Sequence, residues 1–206
     1  MIGSEEKVQI FNEMEKHLMQ DEKPSVYFQR LSNLPWFTEP PFNMLADLKK
    51  TKQNPAFHPE GHVWNHTMLV VDEAAIIKGQ SSDARSFMWA ALLHDIGKPG
   101  TTRVRKGKIT SYDHDKLGAK MIRTFFQNMP VDEEFVRKVE ALVRWHMQIL
   151  FVVRDLPFAD IKTMNTEADI NEVARLGLCD RMGRTGAERV QEEDTIRIFL
   201  KKGTKG

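Results

Sequence analysis

The sequence predicts an all-α fold, on three observations. Apolar residues recur at three- and four-residue spacing in segment after segment. Prolines, glycines and capping residues stand between those segments, where helices start and stop. Only one stretch, TTRVRKGKITSY, reads as strand, with β-branched residues on either side of Lys106-Gly107. No internal repeat and no low-complexity linker breaks the pattern.

Taken in order, Ser4 caps a first helix that carries Val8, Phe11, Met14 and Leu18 to near Gln20. Pro24 opens a second with Val26, Phe28 and Leu31, Pro35 ends it, and a third lies around Phe42 to Lys50. Residues 1–50 thus form a helical extension packed on a main domain, residues 51–206. TKQNPAFHPEG, with two prolines and turn-forming residues, is an ordered loop. The helix from His62 to Lys78 is apolar on more than one side and should be central. After Gly79, Ser81 or Ser82 begins the helix that ends in His94 and Asp95, and a small hairpin turns at Lys106-Gly107. DHDKLGAKMIRTFFQNMP is a helix ended by Pro130. Val131 to Met147 is another, with Phe135, Val136, Val139, Leu142 and Val143 inward and His146 in its last turn. Arg154 to Asn165 reads as loop. Thr166 caps a helix running through Asp180 and Arg181, with Glu167 and Asp169 placing negative charge in its first turn. A last helix, Ala187 to Leu200, precedes a Lys/Gly tail that should fray.

Composition narrows the function classes. A chain of 206 residues, 41% hydrophobic and 29% charged, can bury a sizeable core as one globular domain with a helical preface. A net charge of +1 excludes a basic cloak, so no extended nucleic-acid surface is expected, while a local anion site remains open. The single cysteine, Cys179, excludes an internal disulfide and a thiolate zinc cluster, and fits a reducing cytoplasm. MIGSEEKVQI lacks the basic and apolar regions of a signal peptide, and no apolar run approaches the roughly 20 residues of a membrane helix. The expectation is a soluble cytoplasmic protein.

The chemistry centres on AALLHDIGKP. The apolar run Phe87 to Leu93 ends in adjacent His94 and Asp95, followed by Gly97, Lys98 and Pro99. A buried imidazole beside a carboxylate costs free energy unless it is paired or metal-bound. The seven histidines are His17, His58, His62, His66, His94, His114 and His146. His66 sits in an apolar helix, His114 and His146 mark helix ends, and Asp180 interrupts the apolar LGLC face. A fold that gathers these helix ends makes a thiolate-free N/O site. Such a site suits Mn, Ni, Co, Fe, Zn or Mg, and sequence does not choose among them.

Three pieces carry a family resemblance: QNPAFHPEGHVWNHTMLVVD, AALLHDIGKPGTT followed by YDHDKLGAKMI, and LVRWHM with LCDRMGR. From about Phe42 to Arg184 the chain resembles the HD superfamily of metal-dependent phosphohydrolases, and in particular the HD domain of bacterial CCA-adding tRNA nucleotidyltransferases. The resemblance implies an HD-domain helical bundle and makes residues 51–206 an HD phosphohydrolase domain. It makes His66, His94, Asp95 and Asp180 ligands of a first divalent metal, and His114 and His146 additional ligands for a second. His58 and His62 are assigned to the cleft rim, and His17 to the surface. The implied activity is hydrolysis of a nucleotide or RNA-end phosphoester by metal-activated water, with 2′,3′-cyclic nucleotides and nucleoside monophosphates as the leading substrates. Lys98 and Arg184 would bind the phosphoryl oxygens, Lys98 neutralising charge as it grows, and Asp95 or Asp180 would take the water proton.

The departures are also informative. Asp113-His114-Asp115 has the spelling of a nucleotidyltransferase aspartate pair but lies at a hairpin-to-helix junction, with neither the strand nor the Gly-Ser loop of that head. The chain should therefore not add nucleotides. The GYP signature of cyclic-di-GMP phosphodiesterases is missing, and HDIGK replaces the HDxxED of the alarmone hydrolases. Two other classes remain open: a non-catalytic metal-containing nucleotide or RNA-end sensor, and a helical module that partners a separate nucleotidyltransferase. Oligomeric state, a homo-oligomer included, is not legible.

Overall fold

A computed structural model describes residues 2–204. The all-α expectation holds. The helices are Ser4–Gln20 (α1), Pro24–Leu31 (α2), Asn43–Ala46 (α3), Val63–Ile77 (α4), Ala84–Leu93 (α5) and Lys98–Thr101 (α6). After a hairpin of Arg103–Arg105 (β1) and Lys108–Thr110 (β2) come His114–Phe125 (α7), Glu133–Trp145 (α8), Gln148–Val153 (α9), Ile161–Glu167 (α10), Ile170–Met182 (α11) and Arg189–Gly203 (α12).

Helix α4 lies where its two-sided apolar sequence puts it: Val63, Trp64, Met68, Val70, Val71 and Ala74 are buried against neighbours on several sides. Helix α5 is enclosed over Ser86 to Leu93. Helices α1 and α2 add Phe11, Met14, Leu18, Phe28 and Leu31 to the same apolar cluster. Phe11 stacks on Trp89 of α5 with ring centroids 4.9 Å apart, and Trp89 Nε1 donates to Glu15 at 3.1 Å. Lys106 and Gly107 both take positive φ, as a two-residue type I′ hairpin turn requires.

Several local expectations need correction. Gly3, not Ser4, holds the cap position of α1, without a side-chain bond, and Val26 of α2 points outward, 48% exposed. Asp83, rather than Ser81 or Ser82, caps α5, accepting from Ser86 N. Helix α7 stops at Phe125, short of Pro130, and the chain turns beyond it at Asn128, φ 67°. The presumed loop 154–165 contains the start of α10, capped by Asp160. Thr166 caps nothing: its hydroxyl donates to Thr163 O inside α10. Asp169 caps α11, and Glu172 is the acid of its first turn. The tail is helical through Gly203, while residues 205–206 lie outside the described residues.

What the fold does for the site is to bring helix ends together, and Gly97 permits the closest approach. A Cβ at Gly97 would lie 2.1 Å from His114 O and 2.6 Å from Gly118 N, both backbone atoms. The turn after His94-Asp95 can therefore touch the start of α7 only if residue 97 has no side chain. Gly97→Ala is expected to cost about 2–3 kcal/mol by overpacking and to separate His114 from Asp95. Urea unfolding reads the first effect, and loss of metal-binding stoichiometry reads the second.

Candidate metal centre

Five elements supply the cluster. Helix α4 provides His66, the C-terminus of α5 His94 with Asp95 beyond it, the start of α7 His114, the end of α8 His146, and the last turn of α11 Asp180. All six side chains are buried. The imidazoles form a row, with ring centroids 5.5 Å apart for His66 and His94, 5.4 Å for His94 and His146, and 5.2 Å for His114 and His146. Asp95 lies along this row, Oδ2 3.3 Å from His94 Nε2, Oδ1 3.3 Å from His114 Nε2 and 3.9 Å from His146 Nε2.

Local backbone sets the ring orientations. Nδ1 of His94 donates to Ala91 O at 2.9 Å, His114 Nδ1 to Ser111 O at 2.7 Å, and His146 Nδ1 to Val143 O at 2.7 Å. A carbonyl only accepts, so each neutral ring carries its proton on Nδ1 and presents an Nε2 lone pair. His114 Nε2 and His146 Nε2 consequently face each other at 3.2 Å with no proton between them, and His94 Nε2 is buried without a hydrogen-bond partner. Asp95 Oδ2 has the Lys98 ammonium at 2.7 Å but no aligned hydrogen bond. Converging lone pairs and a carboxylate in a buried space are satisfied by a cation, and the donor set fits a divalent metal bound through nitrogen and oxygen.

Three overlapping groups have donor atoms within 4.8 Å of one another among the described residues: His58, Glu60 and His66; His66, His94 and Asp95; and Asp95, His114 and His146. His66 joins the first to the second, and Asp95 joins the second to the third. Asp180 joins through His66, accepting from Nε2 at 2.9 Å, while Arg184 approaches its other oxygen at 3.6 Å. Lys98 is itself buried, with Nζ also donating to Gln53 Oε1 at 2.6 Å.

Protonation follows the same geometry. Burial opposes charge on Asp95, but Lys98, His94 and His114 overcome it and hold the carboxyl well below the usual range. Against the same desolvation, Arg184, His66 and His94 do likewise for Asp180. Burial lowers His146 to about 4, with the adjoining His114 and His94 adding to the effect, and it lowers His114 despite the pull of Asp95. His66 goes the other way: burial pulls it down, but hydrogen bonds to Asp180 and Glu60 raise it.

Glu60 is the residue that sequence reasoning missed. Its carboxylate lies 3.0 Å from His66 Nδ1 and 2.8 Å from His58 Nδ1. The available signal was its place in HPEG, two residues after His58. His58 lies deeper than the rim, its ring 4.8 Å from that of His66, and burial beside Lys98 and His66 lowers it to about 4. His62 stays outside the cluster at the N-cap of α4. His17, expected at the surface, is half-buried, stacked on Tyr27 and paired with Asp21. Asp113 and Asp115 diverge: Asp113 pairs with Lys116 in the open, whereas Asp115 is buried against Arg144.

The lowered histidines fix an acid limit for the metal-free chain. Unfolded imidazoles take up protons near pH 6.5, whereas folded His146 and His58 resist until about pH 4. The unfolded state therefore binds more protons across this window, and stability falls as pH drops from about 6.5 to 4. Asp95 and Asp180 extend the loss below the usual carboxylate range, while raised His66 acts oppositely, its contribution fading as pH climbs through its own value. The unfolding free energy of EDTA-treated protein, read by urea titration, should decline steadily between pH 6.5 and 4, by about 3 kcal/mol from His146 alone.

No helix among the described residues is long and apolar enough to cross a membrane. The HD domain family model matches residues 63–182, which contain every candidate ligand. Among curated proteins, the chain is 27% identical over 189 residues to a multifunctional CCA protein of Pasteurella multocida, covering 88% of this chain and 44% of that one. It is 28% identical over 188 residues to the multifunctional CCA protein of Mannheimia succiniciproducens, covering 87% and 44%. The counterpart in Psychromonas ingrahamii is 27% identical over 179 residues, covering 80% and 40%. The chain thus spans less than half the length of these relatives.

Proposed function

The chain belongs to the HD domain family, and on that premise we propose that it is a metal-dependent phosphohydrolase acting on a nucleotide or RNA-end phosphoester. The observation that carries this reading is Asp95, flanked by the buried Nε2 donors of His94 on one side and of His114 and His146 on the other. A bound divalent cation supplies Lewis-acid polarisation of a phosphoryl oxygen and lowers the pKa of a coordinated water. His66, His94, Asp95 and Asp180 would hold a first ion, with His114 and His146 joining Asp95 around a second.

The chain's own residues do the rest. Lys98 and Arg184 bring positive charge to the phosphoryl oxygens. Asp95 or Asp180 would receive the water's proton, each being held as a carboxylate by its neighbours. Residues 51–206 constitute the phosphohydrolase domain, and residues 1–50 a helical extension seated on it. The lone buried Cys179 supports a cytoplasmic setting. The leading substrates are 2′,3′-cyclic nucleotides and nucleoside monophosphates.

The test is hydrolysis of those substrates and of bis-p-nitrophenyl phosphate after chelation and addition of Mn, Ni, Co or Mg. Metal-dependent turnover that disappears in His94→Ala is the expected result. Silence across the panel with stoichiometric metal bound would replace the hydrolase with a sensor.

A further inference from the structure

The mechanism leaves the β1–β2 hairpin without a role. Between Asp95 and Asp113 the sequence has five cations, Lys98, Arg103, Arg105, Lys106 and Lys108, and no acid, in a chain otherwise balanced at 30 basic and 29 acidic residues. Lys98 is consumed inside the site, but the other four are exposed and none has an acidic partner among the described residues. Arg105 lies directly opposite Lys108 in the strand register. Like charges facing each other across a strand pair destabilise it, and a two-stranded hairpin has little stability to give up. This hairpin keeps that arrangement with no counter-charge of its own.

Connectivity ties the hairpin to the site at both of its ends. Its N-terminal flank is α6, whose Lys98 touches Asp95, and its C-terminal flank runs into His114, 3.3 Å from the other oxygen of Asp95. The flanks are joined by a 2.7 Å bond between the hydroxyls of Thr102 and Ser111. On the His114 side stands Tyr112, 76% exposed.

We propose that this hairpin is a docking arm for single-stranded nucleic acid, in which Arg103, Arg105, Lys106 and Lys108 contact phosphates and Tyr112 stacks on a base. The inference rests on the phosphohydrolase reading and deepens it: of the nucleotide and RNA-end phosphoesters named there, the hairpin favours the strand end, of which the cyclic and mononucleotide substrates are the small counterparts. Unpaired cations beside an exposed aromatic ring match a strand, which offers both backbone charge and open base faces. An acidic peptide would use only the cations. Net charge does not reveal such a surface because acids elsewhere cancel it.

The experiment is fluorescence anisotropy of a labelled single-stranded oligoribonucleotide on the full chain, alongside metal-dependent hydrolysis of bis-p-nitrophenyl phosphate. Arg105→Glu with Lys108→Glu inverts the charge but keeps the like-charge facing, so the hairpin's own stability is little changed. Affinity should fall at least tenfold, and the dependence of log affinity on log salt should become shallower by about 1.4. Lys108→Glu alone sets opposite charges across the strands; it should firm the hairpin yet weaken binding, separating a folding defect from lost contact. Tyr112→Ala should cost about tenfold. Hydrolysis of the small diester should be unchanged in all three variants. The proposal is overturned if the native chain does not bind the strand, or if the double variant binds as tightly as native. It is also overturned if binding is lost instead on reversing Lys120 and Arg137, which line the separate α7–α8 groove. Strand binding without diester turnover would sink the hydrolase reading and leave the arm standing.

Discussion

Asp95→Asn is expected to abolish metal retention and to lower phosphoester turnover about a thousandfold, a loss of ~4 kcal/mol of transition-state stabilisation. Asparagine matches aspartate in size, so packing at this buried position is preserved while the charge goes. Asp95 is shared by the His66–His94 group and the His114–His146 group of converging donors, so its loss affects both ion positions at once. It also strips the buried Lys98 ammonium of its counter-charge, leaving it only neutral acceptors such as Gln53 Oε1. A buried charge without its partner costs about 3–5 kcal/mol, so the single variant will be less stable as well as inactive. Adding Lys98→Met should recover stability without recovering metal. Metal content by mass spectrometry and urea unfolding separate the two effects. A variant that retained both metal and activity would show that the site lies elsewhere.

Trp89→Ala should be the most damaging substitution outside the site. Trp89 is fully buried, stacked on Phe11, with Phe126 at 5.3 Å and Phe125 at 6.1 Å between ring centroids. Truncating it removes an aromatic side chain from a place that three further rings prevent from collapsing, and about 3–5 kcal/mol should be lost. It also removes a donor to Glu15, which would retain Arg85 at 2.7 Å. Trp89→Phe should recover more than half of the loss. A urea midpoint within 1 kcal/mol of native for Trp89→Ala, allowing for the slope, would show that α1 does not depend on this seat.

The sequence revealed long helices with strong apolar stripes and failed where the stripe is short or weak. Helix α4 shows its burial through apolar residues on several sides, and α8 through Phe135, Val136, Val139, Leu142 and Val143. Helix α10 has one buried residue, Met164, and its start depends on the Asp160 side chain, so no period marks it. Caps are ambiguous for a related reason: Ser81, Ser82 and Asp83 all precede α5, Thr166 and Asp169 both precede α11, and only geometry selects one. His94 and Asp95 were legible because two polar groups ending an apolar run demand an explanation. His146 and Asp180 were legible for similar reasons. Glu60 was not, because a glutamate in a proline-containing loop ordinarily faces water. Only the folded chain brings it to His66.

The backbone acceptors beneath His94, His114 and His146 have a consequence for proton inventory. Metal capture generally displaces protons from its ligands. His114 and His146, both lowered, present bare Nε2 atoms, and in all three rings the neutral tautomer is chosen by a carbonyl three residues earlier in the chain. His66 differs, because carboxylates on both of its nitrogens favour the protonated ring. An ion entering beside His114 and His146 therefore meets rings that resist protonation, whereas one drawing on His66 competes with the proton that its two carboxylates favour. The two ends of a single row of imidazoles would load with different dependence on acidity, so mild acid would empty the His66 end first and leave the other filled.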